Sequence, residues 1–97
     1  MFNIEFFQTD DGSKPVINFL NSLDIKMRVK VLRNLEHLQL NGYNLREPYS
    51  KAVGDGIFEL RTKLGTDITR VLYFFYFNNT IVVTNGFVKK TPEDTNI

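Results

Sequence analysis

The hydrophobic period changes along this chain from 3.6 residues to 2, which restricts it to helices followed by a sheet. In the first half, Val16, Phe19, Leu20 and Leu23 recur at i, i+3, i+4 and i+7, one face of a helix. Ser13 is placed to cap that helix, and Pro15 falls in its first turn, where a missing N–H costs nothing. Asp24 reads as the cap of a second helix running to Asn41, with Gly42 as its stop. On that helix Met27, Val31, Leu32, Leu35 and Leu38 fall within an arc of roughly 140°. Lys26, Lys30, Arg33 and His37 form a stripe on the opposite side. The two helices, joined at Leu23-Asp24, make an αα-hairpin.

An unbroken aromatic stretch at 2–8 predicts a strand before the helices. After them, the stretch 43–56 carries Gly, Asn, Pro48 and mixed charge and reads as a loop. Residues 57–64, 68–77 and 80–88 alternate as three strands of an antiparallel meander. Asn78-Asn79 is a two-residue turn signal, because asparagine tolerates positive φ. It would pair Phe77 with Thr80, and hence Arg70 with Phe87. On that register Arg70, Leu72, Phe74 and Tyr76 share a face with Ile81, Val83, Asn85, Phe87 and Lys89. The helices can cover only one face of the sheet. The second face is too aromatic to stand bare in water, so Phe74, Tyr76, Ile81 and Phe87 are expected to bind a partner protein or a second copy of the chain. The fold class is therefore α+β in two layers, with about four strands.

Composition narrows the chemistry. Ninety-seven residues fit one domain, 1–97, with a single core. No apolar run approaches the ~20 residues that span a bilayer, and Met1-Phe2-Asn3-Ile4-Glu5 lacks the basic lead of a signal peptide. There are no cysteines, which excludes disulfides and thiolate sites. A cytoplasmic location and no cofactor are expected. One histidine excludes a multi-histidine metal centre, and no metal site is expected. The net charge of +1 conceals a pattern: residues 1–24 carry a local −3, and residues 25–90 hold eleven basic against five acidic side chains. A basic middle bounded by acidic ends suits a polyanionic partner.

The basic residues that can converge are Arg61, Arg70, Lys89 and Lys90. A four-residue connection at 64–67 pairs Arg61 with Arg70 on one face, whereas a three-residue one sends them to opposite faces. Converging guanidiniums repel unless an anion lies between them, and their forks match phosphate oxygens. Lys26, Lys30, Arg33, His37 and Lys63 are the candidates for contacting a nucleic-acid backbone, which the resemblance given below makes RNA. His37 has three basic neighbours and no carboxylate placed to orient it, which favours contact over catalysis.

Strand, αα-hairpin and meander, with Phe58-Glu59-Leu60-Arg61, Arg70-Val71-Leu72-Tyr73 and Gly86-Phe87-Val88-Lys89-Lys90-Thr91, resemble the RelE/ParE toxin superfamily, in particular its HigB-like, phage-derived branch. The resemblance implies the toxin of a type II toxin–antitoxin pair, paired with a helix-turn-helix antitoxin. It implies an enzyme that enters the ribosome and cuts mRNA without a metal, by attack of a ribose 2′-OH on the adjacent phosphate. Arg70 then matches the arginine that stabilises the phosphorane, Lys89 or Lys90 the basic residue ending the last strand, and Arg61 a phosphate-binding residue. The alternative is a non-cleaving binding protein, such as a ParE-like gyrase inhibitor. RelE has lysines where this chain has Ile57 and Glu59, so that base role is unfilled. Relatives also continue past Lys-Lys-Thr into a C-terminal helix, so a chain ending at Ile97 is expected to be a shortened form.

Overall fold

A computed structural model describes residues 1–89; Lys90 lies outside them. The chain runs β1 (Asn3–Phe6), α1 (Pro15–Ser22), α2 (Ile25–Asn41), a 3₁₀ turn (Gly42–Asn44), β2 (Ser50–Gly54), β3 (Ile57–Leu64), β4 (Asp67–Tyr76) and β5 (Thr80–Lys89). The α+β order expected from the two periods is therefore present. The strands form one sheet in the order β1-β5-β4-β3-β2. β1 joins β5 in parallel, and all other neighbours are antiparallel.

Both helices lie on one face. Val16 and Leu20 of α1, and Met27, Val31, Leu35 and Leu38 of α2, pack on Leu60, Val71, Tyr73, Ile81 and Val83 of the sheet. Asp24 caps α2, accepting a hydrogen bond from the Met27 N–H at 2.9 Å. The end of α1 is closed from α2: Arg28 donates to the carbonyls of Leu20, Asn21 and Leu23, satisfying groups that a helix terminus leaves open. The backbone passes close at Gly86, where a Cβ would stand 2.5 Å from the Phe19 ring.

Several expectations need correction. Lys14, not Ser13, occupies the cap position of α1 and offers no side-chain bond. Ser13 instead closes the preceding loop, where its hydroxyl and N–H, with the Thr9 hydroxyl, donate to Asp11. Those donors hold the Asp11 carboxyl down at about 2. Leu32, placed on the core arc, is 42% exposed, and the buried Asn34 takes a place on that arc instead.

The stretch read as a loop contains β2, so the sheet has five strands and the meander four. The β2–β3 turn holds Gly54, Asp55 and Gly56 at positive φ, which glycine and aspartate tolerate. Between β4 and β5 the last pair is Tyr76↔Thr80, not Phe77↔Thr80. Both asparagines do adopt positive φ, but in a three-residue turn. A bulge at Thr84 restores the expected pairing, so Arg70 does face Phe87. Between turn and bulge, β5 is inverted relative to expectation. Ile81 and Val83 pair with Phe75 and Tyr73 and are fully buried under the helices. Ile81 therefore does not belong to the exposed face with Phe74, Tyr76 and Phe87.

Candidate functional site

The connection between β3 and β4 decides the site. Leu64 pairs with Asp67 around Gly65, whose φ is positive, so Arg61 stands directly opposite Arg70 on the open face. In the next row outward, Lys63 faces Ile68, which faces Lys89. Four cations thus share one end of one sheet face. Asp67 cannot neutralise them, because its place in the alternation puts it on the helix side with Thr69 and Val71.

One carboxylate does lie among them. Glu59 precedes Arg61 by two residues on the same strand, which puts both on one face. Its Oε1 accepts from Arg70 Nη1 and lies 3.9 Å from Arg61 Nε. Glu59 is buried, Arg70 is nearly so, and the Arg61 side chain is 29% exposed. The Nε atoms of both arginines are buried and have no hydrogen-bond partner among the described residues. The trio carries two positive charges against one negative, and buried donors without partners are costly. That excess is the electrostatic condition for taking up a second anion.

The edge of β3 supplies the rest of the site. β2 stops pairing at Leu60, and an open strand edge leaves backbone groups to be satisfied. The Arg61 N–H donates to the Tyr49 carbonyl at 2.7 Å. From α2, Lys30 Nζ donates to the Lys63 carbonyl at 2.6 Å, and Asn34 donates to the Arg61 carbonyl and to Thr62 Oγ1. Lys30, expected on a solvated stripe, is thus tied to the sheet, while Lys26, Arg33 and His37 are exposed on α2. Between helix, strand edge and the loop before β2 opens a cleft of about 280 Å³, lined by Lys30, Pro48, Tyr49, Arg61, Lys63 and Ile68 besides Asn34. The His37 ring lies 6.1 Å from that of Tyr49, which places the histidine beside the cleft.

The structure thus brings together Arg61, Arg70, Lys63 and Lys89, with Lys30 at the edge, and leaves Lys26 and Arg33 apart on the helix. Tyr49 and Asn34 join the site without being among the residues expected there. Asn34 was legible, being one turn beyond Lys30 and on the apolar arc. Tyr49 had no local signal. The predicted partner face keeps Tyr76 and Phe87, 58% and 40% exposed, and Phe77 at the turn is 74% exposed.

The described residues form an N-terminal strand, two helices and then antiparallel strands in an open sheet, the α+β architecture that the resemblance to the RelE/ParE toxin superfamily implies. The family model of phage-derived Gp49-like proteins, a toxin-like family within that superfamily, matches residues 18–96, and the chain belongs to this family. Membership implies an antitoxin partner. No curated protein matches the chain. Among the described residues no helix is long and apolar enough to cross a membrane.

Proposed function

We propose that this protein is the toxin of a type II toxin–antitoxin pair and works in the cytoplasm as a ribosome-dependent mRNA interferase. The observation that carries the reading is the Arg61–Arg70 pair, with Lys63 and Lys89 beside it and one carboxylate to share. In the reaction the RNA's 2′-oxygen attacks the adjacent phosphorus, the 5′-oxygen leaves, and the phosphorane between them carries extra negative charge. Preorganised cations at that point are the largest catalytic term such a site can supply. Arg70, fixed by Glu59, presents its planar fork, and Arg61 the second charge. Proton transfer falls to other groups, since a guanidinium stays charged at neutral pH. The antitoxin, of helix-turn-helix type, or a second copy of the chain covers the exposed aromatic end around Tyr76 and Phe77.

Induced expression followed by mapping of mRNA ends tests this. Arg70→Lys keeps a cation for Glu59 but loses the fork. Its cleavage should fall toward the roughly 10²–10³-fold loss that follows removal of one oxyanion-stabilising donor. A folded Arg70→Lys chain that cuts as fast as the parent would remove Arg70 from the site. A second reading, a non-cleaving binding protein such as a gyrase inhibitor, is favoured by Glu59, which already gives both arginines an anion. Unchanged mRNA ends, with altered DNA supercoiling in arrested cells, would select it.

A further inference from the structure

The cleft at the β3 edge has the composition of a nucleotide subsite. Its lining residues include three cations, Lys30, Arg61 and Lys63, and no carboxylate. Pro48, Tyr49 and Ile68 supply flat or apolar surface beside them. Its volume of about 280 Å³ falls just below the roughly 300–1,000 Å³ of ligand pockets, so it suits one nucleotide and not a folded peptide. The lining is also held in place. The Tyr49 backbone carries the Arg61 N–H, and Lys30 is anchored on the Lys63 carbonyl. A site whose groups are already positioned loses little on binding.

We propose that this cleft holds one nucleotide of single-stranded RNA, its base against Tyr49 and Pro48 and its phosphate between Arg61 and Lys63. The inference rests on the RNA-directed reading above and extends it. Arg61 belongs both to this cleft and to the row shared with Arg70, so the bound nucleotide is a direct neighbour of the one whose phosphate reaches Arg70. Asn34, the amide among the lining residues, donates to Thr62 Oγ1 and the Arg61 carbonyl. Its donor group is therefore engaged within the protein and not offered to a base edge. Recognition is by stacking, which every base can offer, with purines favoured by area.

The test is an NMR titration of the full chain with a three-residue 2′-O-methyl oligonucleotide, which cannot be cut, and with the same oligonucleotide lacking its central base. Tyr49 and Lys63 resonances should move together. Tyr49→Leu, which keeps apolar bulk but removes the ring, should bind roughly tenfold more weakly, as loss of one stacked base does. Tyr49→Phe should stay within about twofold of the parent. The baseless oligonucleotide should bind weakly to all three chains alike. Equal binding by parent and Tyr49→Leu chains, both folded, would overturn the proposal. So would inorganic phosphate shifting the same residues as tightly as the oligonucleotide, which would leave an anion site only. If the oligonucleotide binds as described but induced cells keep intact mRNA, the cleavage reading fails and the subsite stands. If mRNA is cut and Tyr49→Leu binds like the parent, the subsite fails and cleavage stands.

Discussion

Replacing Arg70 with methionine separates structural from chemical roles in the cationic cluster. Arg70 is on the central strand of the sheet, and its guanidinium is the close partner of Glu59, with side-chain exposures of 13% and 6%. After the change, Glu59 remains buried with only Arg61 Nε, at 3.9 Å, to balance it. Stranding one member of a buried pair costs about 3–5 kcal/mol, far more than breaking an exposed pair. In a domain of this size each kcal/mol moves the midpoint by roughly 4–8 °C, so Tm should drop by at least about 12 °C. Glu59→Gln keeps an oxygen acceptor and leaves the arginines part of their exposure, so it should cost less, about 1 kcal/mol. The double change removes the stranded charge as well as the pair and should recover about 1–3 kcal/mol relative to the sum of the singles. Calorimetry of the four chains at one pH and salt concentration completes the cycle. A double mutant whose cost equals the sum of the two single costs would show that Glu59 and Arg70 are not coupled. It follows that loss of growth arrest in an Arg70→Ala chain says nothing about catalysis until its folding has been measured.

Three other outcomes follow from single contacts. Gly86→Ala drives a Cβ to within 2.5 Å of Phe19 between α1 and β5; overpacking of this kind should lower stability by about 1–3 kcal/mol, read by thermal melting. Gly42→Ala combines positive φ with a Cβ 2.0 Å from the Phe2 ring, so it should cost more than Gly86→Ala and loosen the junction between β1 and the end of α2, seen as faster amide exchange at Phe2. Asp11, fully exposed, titrates at about 2 instead of its ordinary 3.8; its contribution to the loop is therefore present above 3.8 and lost as pH falls through about 2. Carboxyl NMR should show that midpoint, and Ser13→Ala should move it upward.

The contrast between what local pattern revealed and what it missed has a physical origin. Period and caps concern neighbouring residues, and they located both helices, the strands from β3 onward and the Asp24 cap. β2 was missed because Pro48 and the glycines outweighed a better signal, Asp55-Gly56, a dipeptide suited to a tight hairpin turn. Strand register is not a local property: one extra residue inverts a face. The three-residue turn at Phe77-Asn78-Asn79 adds one residue, and the bulge at Thr84 adds one on the same strand and restores the pairing sum. The two irregularities cancel beyond Thr84. Arg70 therefore meets Phe87 as simple counting requires, and the cationic end follows from local pattern, whereas Ile81 and Val83, between the two irregularities, take the face opposite to the one that counting gives. The same cancellation has a functional use. It lets β5 bury Ile81 and Val83 against the helices and still turn Phe87 and Lys89 outward beside Arg70 and Ile68. A strictly regular β5 that kept Thr84 could do only one of these. Deleting Thr84 would make Val83 and Asn85 neighbours, and since these already pair with the consecutive residues Tyr73 and Leu72, it would remove the bulge and keep every pair on both sides of it. Ile81 and Val83 should then stay buried and Phe87 and Lys89 should still point outward, so a folded chain with the cationic end intact is the expected outcome, and an NMR structure of the deletion chain that turns Lys89 to the helix side would refute the cancellation.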